Sequence, residues 1–92
     1  MSSLEIRVCG RYKLEEKLYE GRNASVYSGR NVQSDTDCAI KCESKTVSPS
    51  YLMNEGRVLE ALQGGIGIPQ LHWHGENGDF KFLVTDLLGN SL

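Results

Sequence analysis

The sequence is poor in several features that would assign it to a particular class of protein. It has two prolines, and no repeat or low-complexity tract interrupts it. No apolar run is long enough to cross a membrane, and the first residues lack the apolar core of a secretory signal peptide. We therefore expect a protein of the cytoplasm or nucleus that has no membrane partner.

Charge and cysteine content argue against two further classes. A net charge of -2 gives no electrostatic basis for binding nucleic acid or an anionic surface. Three cysteines, an odd number without a Cys-x-x-Cys pair, predict free thiols rather than a disulfide framework. His72 and His74 flank Trp73 on one side of an expected strand, but two ligands alone indicate a metal site only weakly, and we predict none.

What is present fits one small domain. The 92 residues are 39% apolar and 8% aromatic, enough for a core of marginal stability. Turn residues separate five strand-like runs, at 12–19, 24–28, 37–43, 70–74 and 79–85, with a helical stretch after the third. The first run also fits a short helix, and the turn at 20–23 favours a strand. We predict an α+β domain with a five-stranded antiparallel sheet and one helix, preceded by a loose arm at 1–10.

The third strand-like run carries a lysine beside a small residue. Because side chains alternate along a strand, Ala39, Lys41 and Glu43 share one face, and Cys38 and Ile40 share the other. A small side chain next to a cation leaves room for a flat ring beside a reachable positive charge. An edge strand with a solvated lysine explains the same residues.

The helix carries a glutamate on its apolar stripe. We predict that it begins at Pro49, with Ser48 as the N-cap, and that Glu55 lies on the face of its leucines, which are Leu52, Leu59 and Leu62. A carboxylate on a packing face is costly unless a cation meets it, and Lys41 is the candidate. A glutamate at the margin of the stripe, reaching solvent, is the alternative.

Several parts of the chain together resemble the N-terminal lobe of protein kinases, and most closely the casein kinase 1 family. They are residues 11–14, the lysine strand at 39–45, the Gln-Gly-Gly-Ile-Gly-Ile-Pro string within 62–69, Trp73, and residues 86–92. The resemblance covers nearly all of 11–92 and implies a protein-kinase-like N-terminal lobe that ends just past the hinge, with the C-terminal lobe absent. It also implies a serine/threonine kinase that binds ATP and phosphorylates acidic or primed protein substrates.

The same resemblance implies roles for individual residues. Lys41 would contact the ATP phosphates and Glu55 would hold it through an ion pair. The remaining nucleotide-binding residues would be the loop glycine, the two residues covering adenine, the gatekeeper and the hinge, which are Gly21, Val26, Ala39, Thr85, Asp86, Leu87 and Leu88. The Mg2+ ligands would lie in the absent C-terminal lobe.

The sequence departs from the family in its glycine loop. Of the three glycine positions only Gly21 remains, while Tyr19 and Ala24 occupy the others and Asn23 stands at the tip. Glycine is typical there because the backbone must approach phosphates closely. Tyr19 is therefore expected to weaken ATP binding.

The chain also contains no His-Arg-Asp or Asp-Phe-Gly motif. We expect these 92 residues alone to have no kinase activity, and we expect the face near Leu87, Leu88 and Leu92 to favour self-association. Three functions stay open: part of a complete kinase, a divergent pseudokinase that acts as a scaffold, and a free-standing interaction module.

Overall fold

The computed structural model describes residues 7–48 and 50–87. Its elements are the strands β1 (Arg7–Val8), β2 (Tyr12–Glu20), β3 (Ala24–Asn31) and β4 (Thr36–Ser44), the helix α1 (Tyr51–Ala61), and the strands β5 (Leu71–Asn77) and β6 (Phe80–Asp86). Within these residues, α1 is the one helix, and it does not have the length and apolar character needed to cross a bilayer.

The predicted five-stranded, kinase-type sheet is wrong. All six strands form one antiparallel sheet in the order β1-β2-β3-β4-β6-β5, and the sheet is nearly closed on itself. Asn77 Nδ2, on the last strand of this order, donates to the carbonyl oxygen of Arg7 on the first, at 3.4 Å. The extra strand is β1, which comes from the segment predicted as an arm; residues 1–6 of that segment lie outside the described residues.

The closure has a simple cause in the apolar side chains of one sheet face. Val8 from β1 and Ile40 from β4 are both fully buried and belong to one cluster, although two strands separate them in the sheet. The other buried members are Tyr12, Cys38, Phe82 and Val84, with Leu14, Tyr27, Cys42 and Trp73 packed against them. A flat sheet would leave these groups in water, so curling removes apolar area from solvent.

Glycine permits the tight curvature at one point in the middle of the sheet. A Cβ on Gly29 would lie 2.4 Å from Ile40 Cδ1 and 2.7 Å from the carbonyl oxygen of Lys13. Both distances are shorter than atoms can approach, so only glycine lets β2, β3 and the core meet here. Two register shifts in the pairing of β2 with β3 add further twist.

The helix packs on the opposite face of the sheet, against β4, β5 and β6. Its N-cap is Ser50 rather than Ser48, because the Ser50 hydroxyl accepts from the Met53 N–H at 3.0 Å; Pro49 lies outside the described residues. Leu52 is buried as predicted, whereas Leu62 caps the C-terminus and is 49% exposed. The apolar stripe of α1 is therefore shorter than the leucine spacing suggested.

Gly56 explains why a poor helix former stands inside α1. It is buried, and a Cβ there would lie 3.1 Å from His74 Nδ1 on β5. The absent side chain lets the imidazole ring pack directly on the helix backbone. The roughly 1 kcal/mol of lost helix propensity is thus exchanged for close packing between α1 and the sheet.

Candidate functional site

Strand pairing assembles the candidate residues on the sheet face that carries α1. Lys41 on β4 is the register partner of Val26 on β3 and of Leu83 on β6, and Ala39 is the partner of Thr85. Directly opposed residues in an antiparallel sheet point to the same side. Residues separated by up to 59 positions in sequence therefore share one surface.

The structure brings Lys41 and Glu55 together. Lys41 Nζ donates to Glu55 Oε2, which joins β4 to the middle of α1. The two side chains are 39% and 45% exposed, so Glu55 lies at the margin of the packed face rather than within it. This matches the alternative in which the glutamate reaches solvent, and yet it still meets the lysine.

A cleft of about 210 Å³ lies on one side of this ion pair. It opens beneath the turn that joins β2 to β3, and the N-terminal end of α1 forms its far wall. Its lining residues are Tyr19, Asn23, Ala24, Val26, Lys41, Glu43, Tyr51, Leu52 and Glu55. The cleft is therefore mainly apolar, with one amide, one cation and two carboxylates among its lining side chains.

A second cleft, of about 270 Å³, lies on the other side of the pair, between α1, the middle of β4 and the end of β6. It is lined by Ala39, Lys41, Glu55, Leu59, Pro69, Leu83, Thr85 and Asp86. Lys41 and Glu55 belong to both clefts. The ion pair thus stands between a pocket near the β2–β3 turn and a pocket near the end of β6.

The end of β6 is held by polar contacts that the sequence did not indicate. The carboxylate of Asp86 accepts from the N–H of Gln70, just before β5, at 3.2 Å and lies 2.7 Å from Nε2 of His72 on β5. The Thr85 hydroxyl donates to the Asp86 carbonyl oxygen at 3.2 Å, which leaves that oxygen a second lone pair. Leu87 is exposed, and Leu88, also assigned to the hinge, lies outside the described residues.

The turn between β2 and β3 is already closed by its own backbone. The Gly21 N–H donates to the Ala24 carbonyl oxygen at 2.8 Å. The Tyr19 ring lies against Gly21, since a Cβ there would meet its Cε2 atom at 3.1 Å. Tyr19 is 64% exposed and lines the 210 Å³ cleft. An aromatic side chain thus stands where a closely approaching ligand would need open backbone.

Sequence reasoning missed the role of Glu43. It is 1% exposed and is the buried charged residue of the described chain. Glu43 Oε1 accepts from the Ser50 hydroxyl at 2.6 Å, and Oε2 accepts from the Tyr51 and Leu52 N–H groups at 3.2 and 3.3 Å. The available signal was its position on the Lys41 face, two residues farther along β4, together with a serine just before the helix.

Neither a metal-binding cluster nor a match to a known family identifies the site. Within residues 7–48 and 50–87, no three histidine, cysteine, aspartate or glutamate side chains come close enough to hold a metal ion. No protein-family model matches the chain. The resemblance to casein kinase 1 therefore stays a prediction from the residues quoted above.

Proposed function

We propose that this chain is the ATP-binding part of a serine/threonine protein kinase similar to casein kinase 1. The observation that carries the proposal is the Lys41–Glu55 ion pair standing between two clefts. A lysine fixed by a carboxylate presents its charge in a defined direction, which is what binding a phosphate requires. Bound ATP would supply the phosphoryl group, and the chain would bind and orient it.

The cleft near the end of β6 fits the adenine ring. Ala39 is small, Leu83 and Leu59 are apolar, and the backbone at Asp86 offers a carbonyl oxygen with a free lone pair. A flat apolar ring with polar edges needs this combination of apolar walls and a few directed hydrogen-bonding groups. Protein substrates, Mg2+ and the catalytic aspartate would require residues beyond these 92.

The turn of β2 and β3 fits the phosphates less well. The Gly21 N–H is used within the turn, and Tyr19 covers the backbone that would approach the phosphates. These two contacts favour a second function, a divergent kinase relative that binds nucleotide weakly and acts as a scaffold. The self-association expected near Leu87, Leu88 and Leu92 is a separate prediction: Leu87 is exposed, and Leu88 and Leu92 lie outside the described residues.

Calorimetric titration of the 92-residue chain with MgATP distinguishes the two functions. We expect Lys41→Met to weaken binding by about tenfold or more, because the charge-assisted contact to phosphate is lost. Tyr19→Gly should tighten binding, because it exposes the backbone of the turn. Lys45→Met, which removes an exposed lysine just beyond β4, is the matched control and should bind as the original chain does.

The outcomes separate cleanly. Binding that Lys41→Met does not weaken would place the nucleotide elsewhere and refute the proposal. If the original chain does not bind but Tyr19→Gly does, the chain is the scaffold relative whose turn has closed the site. If neither binds, the ATP-binding function is wrong. In every case we expect no transfer of phosphate to an acidic peptide from these residues alone.

A further inference from the structure

Glu43 is buried, charged and unused by the proposed binding of ATP. Both of its carboxylate oxygens are directed at the start of α1. There they accept hydrogen bonds from the hydroxyl of Ser50 and from the N–H groups of Tyr51 and Leu52. The Ser50 hydroxyl in turn accepts from the Met53 N–H. The first N–H groups of a helix have no partner within the helix, so a strand side chain here satisfies the two that the Ser50 cap leaves open.

The contact is also favoured by charge. The N-terminal end of a helix carries a partial positive charge, and a carboxylate directed at it is stabilised. In a buried setting this interaction is not weakened by solvent as a surface contact would be. Glu43 therefore fixes the start of α1 to one point on β4.

This point lies next to the functional ion pair. Glu43 and Lys41 are two residues apart on one face of β4, roughly 7 Å along the strand. Their partners, Leu52 and Glu55, are three residues apart on α1, roughly 4.5 Å along the helix axis. The two links run in reverse order along strand and helix, so together they fix both the position and the register of α1. Of these two links to β4, a helix released at Glu43 would retain only the half-exposed one at Lys41, beside its packing against β5 and β6.

We propose that Glu43 is the positioning residue that holds α1 where Glu55 can meet Lys41. The carboxylate is a structural part of the site without touching any ligand. The consequence for ATP rests on the proposed function, whereas the coupling between Glu43 and the Lys41–Glu55 pair does not. A glutamine at 43 can direct its oxygen at the two backbone N–H groups and its amide at Ser50 Oγ, so it should preserve the arrangement.

The test measures the reactivity of the Lys41 amine with trace acetic anhydride, read by peptide mass spectrometry and normalised to the same peptide in urea. Loss of its partner in Glu55→Gln should raise Lys41 labelling about two- to fivefold. We expect Glu43→Ala to raise it equally, and the double variant to raise it no further, because both changes break one link. Glu43→Gln should stay near the original value, as should Glu16→Ala, which removes an exposed glutamate of β2.

A fully folded Glu43→Ala chain whose Lys41 labels at the original rate would overturn the proposal. If circular dichroism shows that Glu43→Ala is unfolded, Ser50→Ala decides instead. It keeps the carboxylate and removes one of the three hydrogen bonds of Glu43, together with the cap bond from the Met53 N–H. It should raise Lys41 labelling about twofold, and an unchanged rate would again overturn the proposal. MgATP titration of the same variants is a separate readout: absence of nucleotide binding in the original chain refutes the proposed function and leaves the labelling result standing.

Discussion

The two faces of β4 build different parts of this molecule from alternate residues of one strand. On the inner face, Cys38 and Ile40 are 2% and 0% exposed and pack among side chains from the first and last strands. On the outer face, Lys41 is 39% exposed and reaches α1 through an ion pair, while Glu43 reaches it through hydrogen bonds. Apolar contacts join the inner face to the other strands of the sheet, whereas directed polar contacts join the outer face to α1.

The difference separates folding from positioning. Burial of apolar area is strong but has no direction, so the inner face closes the sheet without specifying where a helix must lie. Polar contacts contribute little net free energy but require exact partners, so the outer face fixes α1 to a register. A site that depends on the placement of one amine and one carboxylate needs directed polar contacts in addition to apolar burial.

The largest effect should come from the inner face. Ile40→Ala removes a fully buried side chain and leaves a cavity between β1 and β4. We expect the free energy of unfolding to fall by about 3 kcal/mol, more than a hundredfold in the equilibrium constant. Urea denaturation measures this as a lower midpoint with an unchanged slope.

Ile40→Val is the matched control, since it removes one methylene and should cost about 1 kcal/mol. A loss below about 1 kcal/mol for Ile40→Ala would show that the sheet does not depend on this cluster. The contrast between the two faces would then disappear.

The next effect concerns thiol reactivity on the inner face. Burial, with smaller contributions from Asp37 and Glu15, raises the pKa of the Cys38 thiol to about 11. Burial also raises the pKa of Cys42, whereas Cys9 is exposed. At pH 8 about one Cys38 thiol in a thousand would be ionised, roughly a hundredfold less than for an unshifted thiol. Iodoacetamide should therefore label Cys9 first and Cys38 last.

The sign of the pH dependence follows from the raised pKa. Labelling of Cys38 should rise about tenfold for each pH unit and should continue to rise past pH 9, where an unfolded chain levels off. Peptide mass spectrometry in buffer and in urea measures both curves. Equal labelling of Cys38 and Cys9 in the folded chain would show that solvent reaches the inner face.

The sequence predicted the long strands because turn residues separate the runs that form them. The faces of β4 were assigned correctly from the run around Ile40, and turn residues correctly separated β2 from β3. The two residues of β1 are too short to show a period, so the sixth strand was missed. Its place depends on Val8 joining the buried cluster that contains Ile40, a long-range association that no local pattern contains.

Prediction of the site had a similar limit. The pairing of Lys41 with Glu55 was proposed because a strand lysine and a helix carboxylate on facing surfaces require each other. The anchoring of α1 by Glu43 was not, because it depends on where the helix begins, and Ser48 was taken as the N-cap instead of Ser50. The engagement of Asp86 with His72 likewise needs the pairing of β5 with β6, which brings residues 14 apart into contact.

The smallest effect on stability should come from the ion pair that is central to the proposed function. Lys41→Met retains most of the apolar stem and removes the charge, and both partners are about 40% exposed, so water replaces much of the lost contact. We expect the free energy of unfolding to change by about 1 kcal/mol or less, and to change less still in high salt. Urea denaturation at two salt concentrations measures this change, with Glu55→Gln and the double variant completing a double-mutant cycle.

A loss above about 2 kcal/mol would mean that the outer face stabilises the fold as the inner face does. A loss within the expected range, together with weaker MgATP binding, would mean that the pair is retained for positioning a charge rather than for holding the sheet together.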